Sequence, residues 1–381
     1  MAGRFRRLLW VLLAVLAVRY SHAASAEILL GVAAPFSGPF EYGGEQWQQG
    51  VELAVTELNA TGGLLGQVIV LDIVDDYCDA EQAMVAARKL VADKVAAVIG
   101  HLCSGAAIPT SELYEEAQIP SLTLATNPLL TGRGLRFVFR PSTPDDAQGA
   151  FAADYLVREA GAKRIGILHD TTVYGKGVAE VTRKRLDELG VPAVLVEAIP
   201  PGEIVFADVV ERLRRAAIEG LYYGGYGRTA ALLRMQMAEA RFLPVMMVSS
   251  GAGAYDYGLI AGPAAEGTLV TGDPVLETPE SADFEVRFRA AAGVKSDIRG
   301  RTAYRAAMLW AQAVKAAGTT AGPAVADALH SGTFHVSGVE VRFDSKGDAQ
   351  GPLVANGVWV WHGGELVPLA PKARVGSGHK P

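Results

Sequence analysis

Residues 68–104 read VIVLDIVDDYCDAEQAMVAARKLVADKVAAVIGHLCS, and this stretch decides the fold. Residues 68–74 are an apolar run of strand length, interrupted only by Asp72. Ala80, Ala83, Met84, Ala87, Leu90 and Val91 then recur at the spacing of one helix face. Residues 95–99 are a second apolar run, followed by a turn that ends at Ser104. A strand, a crossover helix and a further strand imply a parallel pair with helices covering both faces of the sheet. The two turns hold Cys78 and Cys103, the only cysteines of the chain.

The alternation continues in both directions. Upstream, residues 28–32 form a continuous apolar strand, and Trp47, Val51, Ala54, Val55 and Leu58 mark a helix that Gly62 and Gly63 stop. Downstream, a helix over 105–117 leads to a strand over 119–124, and Pro109 predicts that this helix is bent or begins late. A second series begins near Asp145. Its helices are expected over 147–159, 176–189, 209–217 and 230–240, and its strands over 164–168, 193–198, 220–223 and 245–248. Helices around 283–292 and 303–317, strands at 339–343 and 357–361 and a loose tail over 372–381 follow. The expected class is α/β, with two doubly wound lobes.

The first residues carry a different pattern. Arg4, Arg6 and Arg7 precede an apolar core over 8–18, then the small-residue runs Ser21-His22-Ala23 and Ala24-Ser25-Ala26. This reads as a cleaved secretory signal over 1–26, with cleavage after Ala26 or after Ala23. The core is too short to span a bilayer. Cleavage after Ala26 leaves about 355 of 381 residues, more than one typical core holds. It removes four arginines and no acid, leaving 31 basic and 41 acidic residues and a net charge of −10. That acidity argues against nucleic acid or an anionic membrane as partner. Export, into the periplasm of a Gram-negative source, exposes Cys78 and Cys103 to an oxidising compartment. Lying 25 positions apart, they are expected to form one disulfide that ties the two turns together.

Ligands of open parallel sheets sit outside the carboxyl ends of the strands. The rule points to the turns after Val32, Ile99, Leu124, Leu168, Tyr223 and Val248. Ser104 follows one of these strands at a helix start. There its hydroxyl and nearby N–H groups suit a carboxylate, although a plain helix cap would also place a serine there.

These turns and their surroundings carry Ser37-Gly38-Pro39, residues 59–66, 75–79 and 100–104, Ala125-Thr126-Asn127-Pro128, His169-Asp170, Tyr174-Gly175, residues 222–226 and Ala265-Glu266-Gly267. In this combination and order the chain resembles the periplasmic branched-chain amino-acid-binding proteins of ABC importers, the Leu/Ile/Val-binding type. The resemblance implies a type I periplasmic-binding fold, two lobes joined by three crossover segments that close over one small ligand. Lobe 1 would hold 27–145 and 276–353, and lobe 2 would hold 146–275 and 354–371. Ser104 would then bind the ligand carboxylate, with main-chain groups near Ala125 and the hydroxyl and N–H of Thr126 on the ligand's polar head. Tyr226 would contact the ammonium and Tyr174 would line the side-chain pocket. Tyr42 would stand near the first-lobe wall, where an ungapped match places Gly43, and Leu102 and Cys103 would form the floor. Tyr222 or Tyr223 is expected in the core instead.

Two departures from the family pattern stand out. Ser250 occupies the place of a glutamate that neutralises the ligand ammonium, and Asp256 is the nearest acid. Arg299 and Arg301 replace an aromatic or apolar wall and are expected as solvated surface residues. Either one entering the cleft would add a cation and favour an organic acid or an acidic amino acid. No Gly-x-Ser-x-Gly elbow and no phosphate loop is present, and an oxidised Cys103 could not act as a nucleophile with His101. Asp75, Asp76 and Asp79 match no metal-loop spacing and read as capping or solvated groups. The expectation is a monomeric binding protein without cofactor or metal. It would take up a small amino acid, or alternatively an aromatic or dicarboxylic acid, and hand it to an ABC permease. A secreted sensor presenting its ligand to a receptor kinase is the reading from a different class.

Overall fold

The structure, a computed structural model, describes residues 27–200, 202–273, 276 and 278–369. The signal segment and the tail lie outside the described residues. Five apolar runs form a parallel sheet: β1 (Ile28–Ala34), β2 (Ile69–Asp75), β3 (Ala97–Gly100), β4 (Ser121–Leu122) and β5 (Val138–Phe139). Their order is β2-β1-β3-β4-β5, with Val32 paired to both Ile73 and Ile99. The helices α1 (Glu41–Ala60), α2 (Ala80–Ala92) and α3 (Ser104–Glu116) connect them. Pro109 neither delays nor ends α3. The amide it lacks would have bonded to the Gly105 carbonyl, and the hydroxyls of Thr110 and Ser111 bond back to Ala106 and Ile108 around the gap, at 2.8 and 2.7 Å.

The second sheet contains β6 (Ile165–Asp170), β7 (Leu195–Ile199), β8 (Gly220–Gly224), β9 (Val245–Val248) and β10 (Leu269–Gly272), all parallel. Its helices are α4 (Asp145–Arg158), α5 (Val173–Glu188), α6 (Ala207–Arg215), α7 (Gly227–Glu239) and α8 (Tyr255–Ala261). The chain then returns to the first core through α9 (Pro279–Ala292), α10 (Ile298–Ala317) and α11 (Gly322–Ser331). A small antiparallel sheet follows, made of β11 (Phe334–Val336), β12 (Val339–Phe343) and β13 (Ala349–Gln350). It ends in β14 (Gly357–His362) and β15 (Glu365–Pro368), antiparallel strands on the edge of the second sheet. The chain thus passes between the two sheets three times, after β5, after β10 and after β13. Two doubly wound lobes with three crossovers are the expected class. Sequence periodicity missed β5, β10, β11, β13 and β15, which have only two to four residues each. The expected strand over 119–124 shortens to β4, because the residues after Leu122 leave the sheet for the cleft.

Each lobe has its own core. In the first, Leu30, Val32, Trp47, Ile99, Phe139 and Trp310 are fully buried, and the Trp47 indole donates to the Ile99 carbonyl at 3.0 Å. In the second, Tyr222 and Tyr223 project to opposite faces of β8 and both are buried, so the core takes two rings where one was expected. Cys78 and Cys103 form the expected disulfide, their Cα atoms 5.4 Å apart. The aspartates beside it brace the β2–α2 turn. Asp75 accepts from the amides of Phe36 and Tyr77, Asp76 from the amide of Cys78, and Asp79 caps α2 through the amides of Glu81 and Gln82.

α1 and α10 cross where Gly50 meets Gly300. A Cβ on Gly50 would lie 2.2 Å from the Gly300 carbonyl oxygen. Gly50→Val is expected to destabilise the fold by about 1–3 kcal/mol, the usual cost of forcing packed elements apart. Urea unfolding checks this, and an unchanged midpoint would show that the crossing is not close.

Candidate functional site

All six turns named from the sequence contribute to one cavity of about 240 Å³. Phe40 and Gly43 come from the segment after β1, Leu102, Cys103 and Ser104 from that after β3, and Ala125 and Thr126 from that after β4. Asp170 and Tyr174 follow along β6, Tyr226 after β8, and Ser250 and Gly251 after β9. Asp256 of α8 and Ile298 and Arg299 of α10 complete the wall. The space is below the roughly 300–1,000 Å³ of drug-sized sites and suits a compact solute. Tyr42 is not among the lining residues, whereas its neighbour Gly43 is.

On the first-lobe side the site is a helix N-terminus. Ser104 is the first residue of α3 and is buried. No side chain caps this helix, because the N-cap position belongs to Cys103, which is held in the disulfide. The amides of Ser104 and Gly105 have no protein acceptor among the described residues. Ser104 lines the cavity, so its hydroxyl stands there at the open start of the helix, in the field that favours an anion. The facing turn is clamped by Arg140, which is 1 % exposed. Its guanidinium donates to the carbonyls of Thr126 and Asn127 at 2.8 and 3.0 Å, to the Thr131 hydroxyl at 2.8 Å and to the Asp348 carboxylate.

The second-lobe side carries acids and rings. Asp170 accepts from the hydroxyl and amide of Thr172 and from the Tyr226 amide at 3.0 Å. A Cβ on Gly175 or Gly225 would come within 2.1 or 2.4 Å of its carboxylate, so only glycines fit around it. Burial raises the Asp170 pKa, and these donors oppose the shift. The Tyr174 hydroxyl accepts from the Gly251 amide at 3.0 Å, and its ring lies 5.2 Å from that of Tyr226. Tyr226 also meets Phe40 of the first lobe edge-on at 4.7 Å. Ser250 is held by Gln148 through both its hydroxyl and its amide, each at 3.0 Å.

The arginines depart from expectation. Arg299 is buried rather than solvated, because α10 packs its N-terminal turn into the cleft. Its guanidinium donates to Asp297 at 2.9 Å and, across the cleft, to Asp256 at 3.3 Å and the Gly251 carbonyl at 3.4 Å. Arg301 does not reach this cavity and lines a neighbouring one. Sequence reasoning gave no role to Asp170 or Phe40, although the turns that carry them were named. His101 and Cys103 do not form a catalytic pair. Cys103 is oxidised, and His101 is buried between the Asp76 carboxylate at 2.7 Å and the Tyr114 hydroxyl at 3.0 Å.

The cavity lies at the carboxyl ends of two parallel sheets, where ligands of such folds bind. The family model for periplasmic binding proteins matches residues 27–356, and the chain belongs to that family. It is 36% identical over 338 residues to Leu/Ile/Val-binding protein homolog 1 of Brucella suis, covering 88% of this chain and 91% of the relative. A branched-chain amino acid transporter substrate-binding protein from Streptococcus pneumoniae, in complex with isoleucine, superposes with a TM-score of 0.83 at 21% identity, over 91% of this chain and 100% of that one. A solute-binding protein from R. palustris in complex with benzoate also gives 0.83 at 21% identity, over 90% and 96%. These two likenesses show the fold.

One buried acid stands behind the site. Asp145 opens α4 and is 0 % exposed, and neither carboxylate oxygen has a hydrogen-bond partner among the described residues. Burial pushes it up to about 7, more than neighbouring Thr126 and Arg140 pull it down. Its ordinary value is 3.8, so between about pH 4 and pH 7 the native state holds a proton that the unfolded state has lost. Stability should therefore fall as pH rises through that window, by up to about 1.4 kcal/mol per pH unit. Asp145→Asn should flatten this slope. Urea unfolding at pH 5 and pH 7 compares the two proteins, and an equal pH dependence would refute the assignment.

Proposed function

We propose that this protein captures a small amino acid with an aliphatic side chain, closes over it by hinge motion, and delivers it to the permease of an ABC importer. The observation that carries this reading is the pairing of opposite polar ends in one cavity. The uncapped start of α3 with Ser104 faces it from one lobe, and the carboxylates of Asp170 and Asp256 face it from the other. Between them stand Phe40, Leu102, Tyr174, Tyr226 and Ile298. A zwitterion with an apolar side chain complements all three features. The Leu/Ile/Val-binding name of the Brucella relative supports the same choice.

An organic acid is the competing ligand, suggested by Arg299 and by the benzoate-bound neighbour. The charge of Arg299 is already met by Asp297 and Asp256, so it offers little to a second carboxylate. Asp256 also brings a negative charge to the cavity where Ser250 does not. The reading assigns residues 27–145 and 276–353 to one lobe and 146–275 and 354–371 to the other. The exported protein acts as a periplasmic monomer.

Leucine and its deaminated 2-keto acid, titrated side by side in a calorimeter, test the ligand class. Saturable heat with leucine and none with the keto acid is expected, and the reverse order would favour the organic-acid reading.

Ser104→Ala should leave the fold intact and weaken leucine binding about tenfold to hundredfold, from a charge-assisted bond of roughly 1.5–3 kcal/mol. Wild-type affinity in this variant would remove Ser104 from the carboxylate site.

A further inference from the structure

A second and larger cavity, of about 1,060 Å³, adjoins the first and shares Ser250 and Ile298 with it. Its walls come from α9 and α10 on one side and from β10 and β14 on the other, so both lobes contribute. Most of its charged residues are paired. Arg289 bonds Glu285 at 2.8 Å, Lys295 lies 3.9 Å from Glu365, and Asp297 holds Arg299 at 2.9 Å.

Three charged groups remain. Arg301 and Arg305 lie one turn apart on α10, and Asp273 follows β10. Arg305 is 5 % exposed, yet among the described residues its side chain bonds only from Nε to the Ser337 hydroxyl at 3.1 Å. Its two terminal nitrogens have no partner among the described residues. Arg301 reaches only the carbonyl and hydroxyl of Ser296, both at 3.3 Å. Asp273 already accepts the Thr143 amide at 3.0 Å. Asp297, Glu285 and Asp273 all lie near Arg301, whereas Arg305 has only Asp273 beside it and keeps its terminal nitrogens without an acceptor among the described residues. An arginine keeps its charge even when buried, and a buried charge without a counter-ion is unfavourable. Burial, with the neighbouring positive charge of Arg301 second, pushes Arg305 down to about 10. An anion in the cavity would supply the acceptors that the terminal nitrogens of Arg305 lack.

We propose that this cavity is a binding site for a compact oxyanion, held by the free terminal nitrogens of Arg305 with Arg301 beside them, and separate from the amino-acid site. Guanidinium forks match paired oxygens, so the chemistry is that of a phosphate or a small dicarboxylate. Arg301 and Arg305 line this cavity and not the first, so the site does not depend on the identity of the amino acid.

The test uses the full exported protein at constant ionic strength, with chloride replaced stepwise by inorganic phosphate or by succinate. The melting temperature and calorimetric heats are read. At least one of the two should produce a saturable rise over the chloride control, and the one that does identifies the source of the anion. Arg305→Gln and, separately, Arg301→Gln should each weaken that response about tenfold while leucine binding stays at the wild-type level. No saturable response of the wild type to either anion overturns the proposal, whatever the variants do. So does a wild-type response in a folded Arg305→Gln or Arg301→Gln protein. Failure of leucine to bind, with the anion response intact, would count only against the proposed ligand of the first cavity.

Discussion

In a parallel sheet every strand ends at the same edge, and the next helix starts there. The whole site depends on this constraint. The terminal amides and carbonyls of such strands have no further sheet partner, and the helices begin with unpaired N–H groups. Two sheets with their carboxyl edges facing each other concentrate those groups in one gap. All six turns that line the cavity leave parallel strands, and the antiparallel edge strands β14 and β15 contribute nothing to it.

Converging turns are useful only if they hold still, and buried charges do that here. Arg140 ties the Thr126–Asn127 turn to Thr131 and, through Asp348, to the small sheet next to a crossover. Asp170 does the same in the second lobe, joining the starts of α5 and α7 through Thr172 and Tyr226. Such groups are unfavourable to bury alone and are stable here because donors surround them. The disulfide acts alongside them. By occupying the cap position of α3 with a cystine, it leaves the helix N-terminus open toward the cavity.

Arg299 shows how a charge can enter a cleft without setting its ligand preference. The pairs with Asp297 in its own lobe and Asp256 across the gap consume its charge. The Asp256 pair also joins the two lobes directly, beside the Phe40–Tyr226 ring contact and the Asn127 bond to the Val173 carbonyl at 3.2 Å. The cleft is therefore lined by contacts that must break or slide whenever the lobes separate. One of the partners that neutralise the arginine, Asp256, is itself part of the cavity wall.

The repeated strand and helix units were legible in the sequence because their periodicity is local. Six residues are enough to show an apolar run, and a helix shows its face within three turns. The turns that carry the cavity follow from that reading by the strand-end rule alone, as does the turn containing Asp170, whose role went unrecognised. Short strands were legible only inside an apolar run, as β3, β4 and β9 were, whereas β5, β10, β11, β13 and β15 left no pattern. The placement of Gly43 rather than Tyr42 at the wall depends on the rotation of α1 about its axis, which the crossing with α10 sets through Gly50 and Gly300. The burial of Arg299 could not be read from its neighbours, since an exposed arginine and an ion-paired one look alike in sequence. What the sequence by itself determined is which segments form strands and helices and which turns end them. Only the tertiary structure decided which side chains meet across the gap, because those partners lie 40 or more positions apart and are brought together by packing that no local pattern encodes.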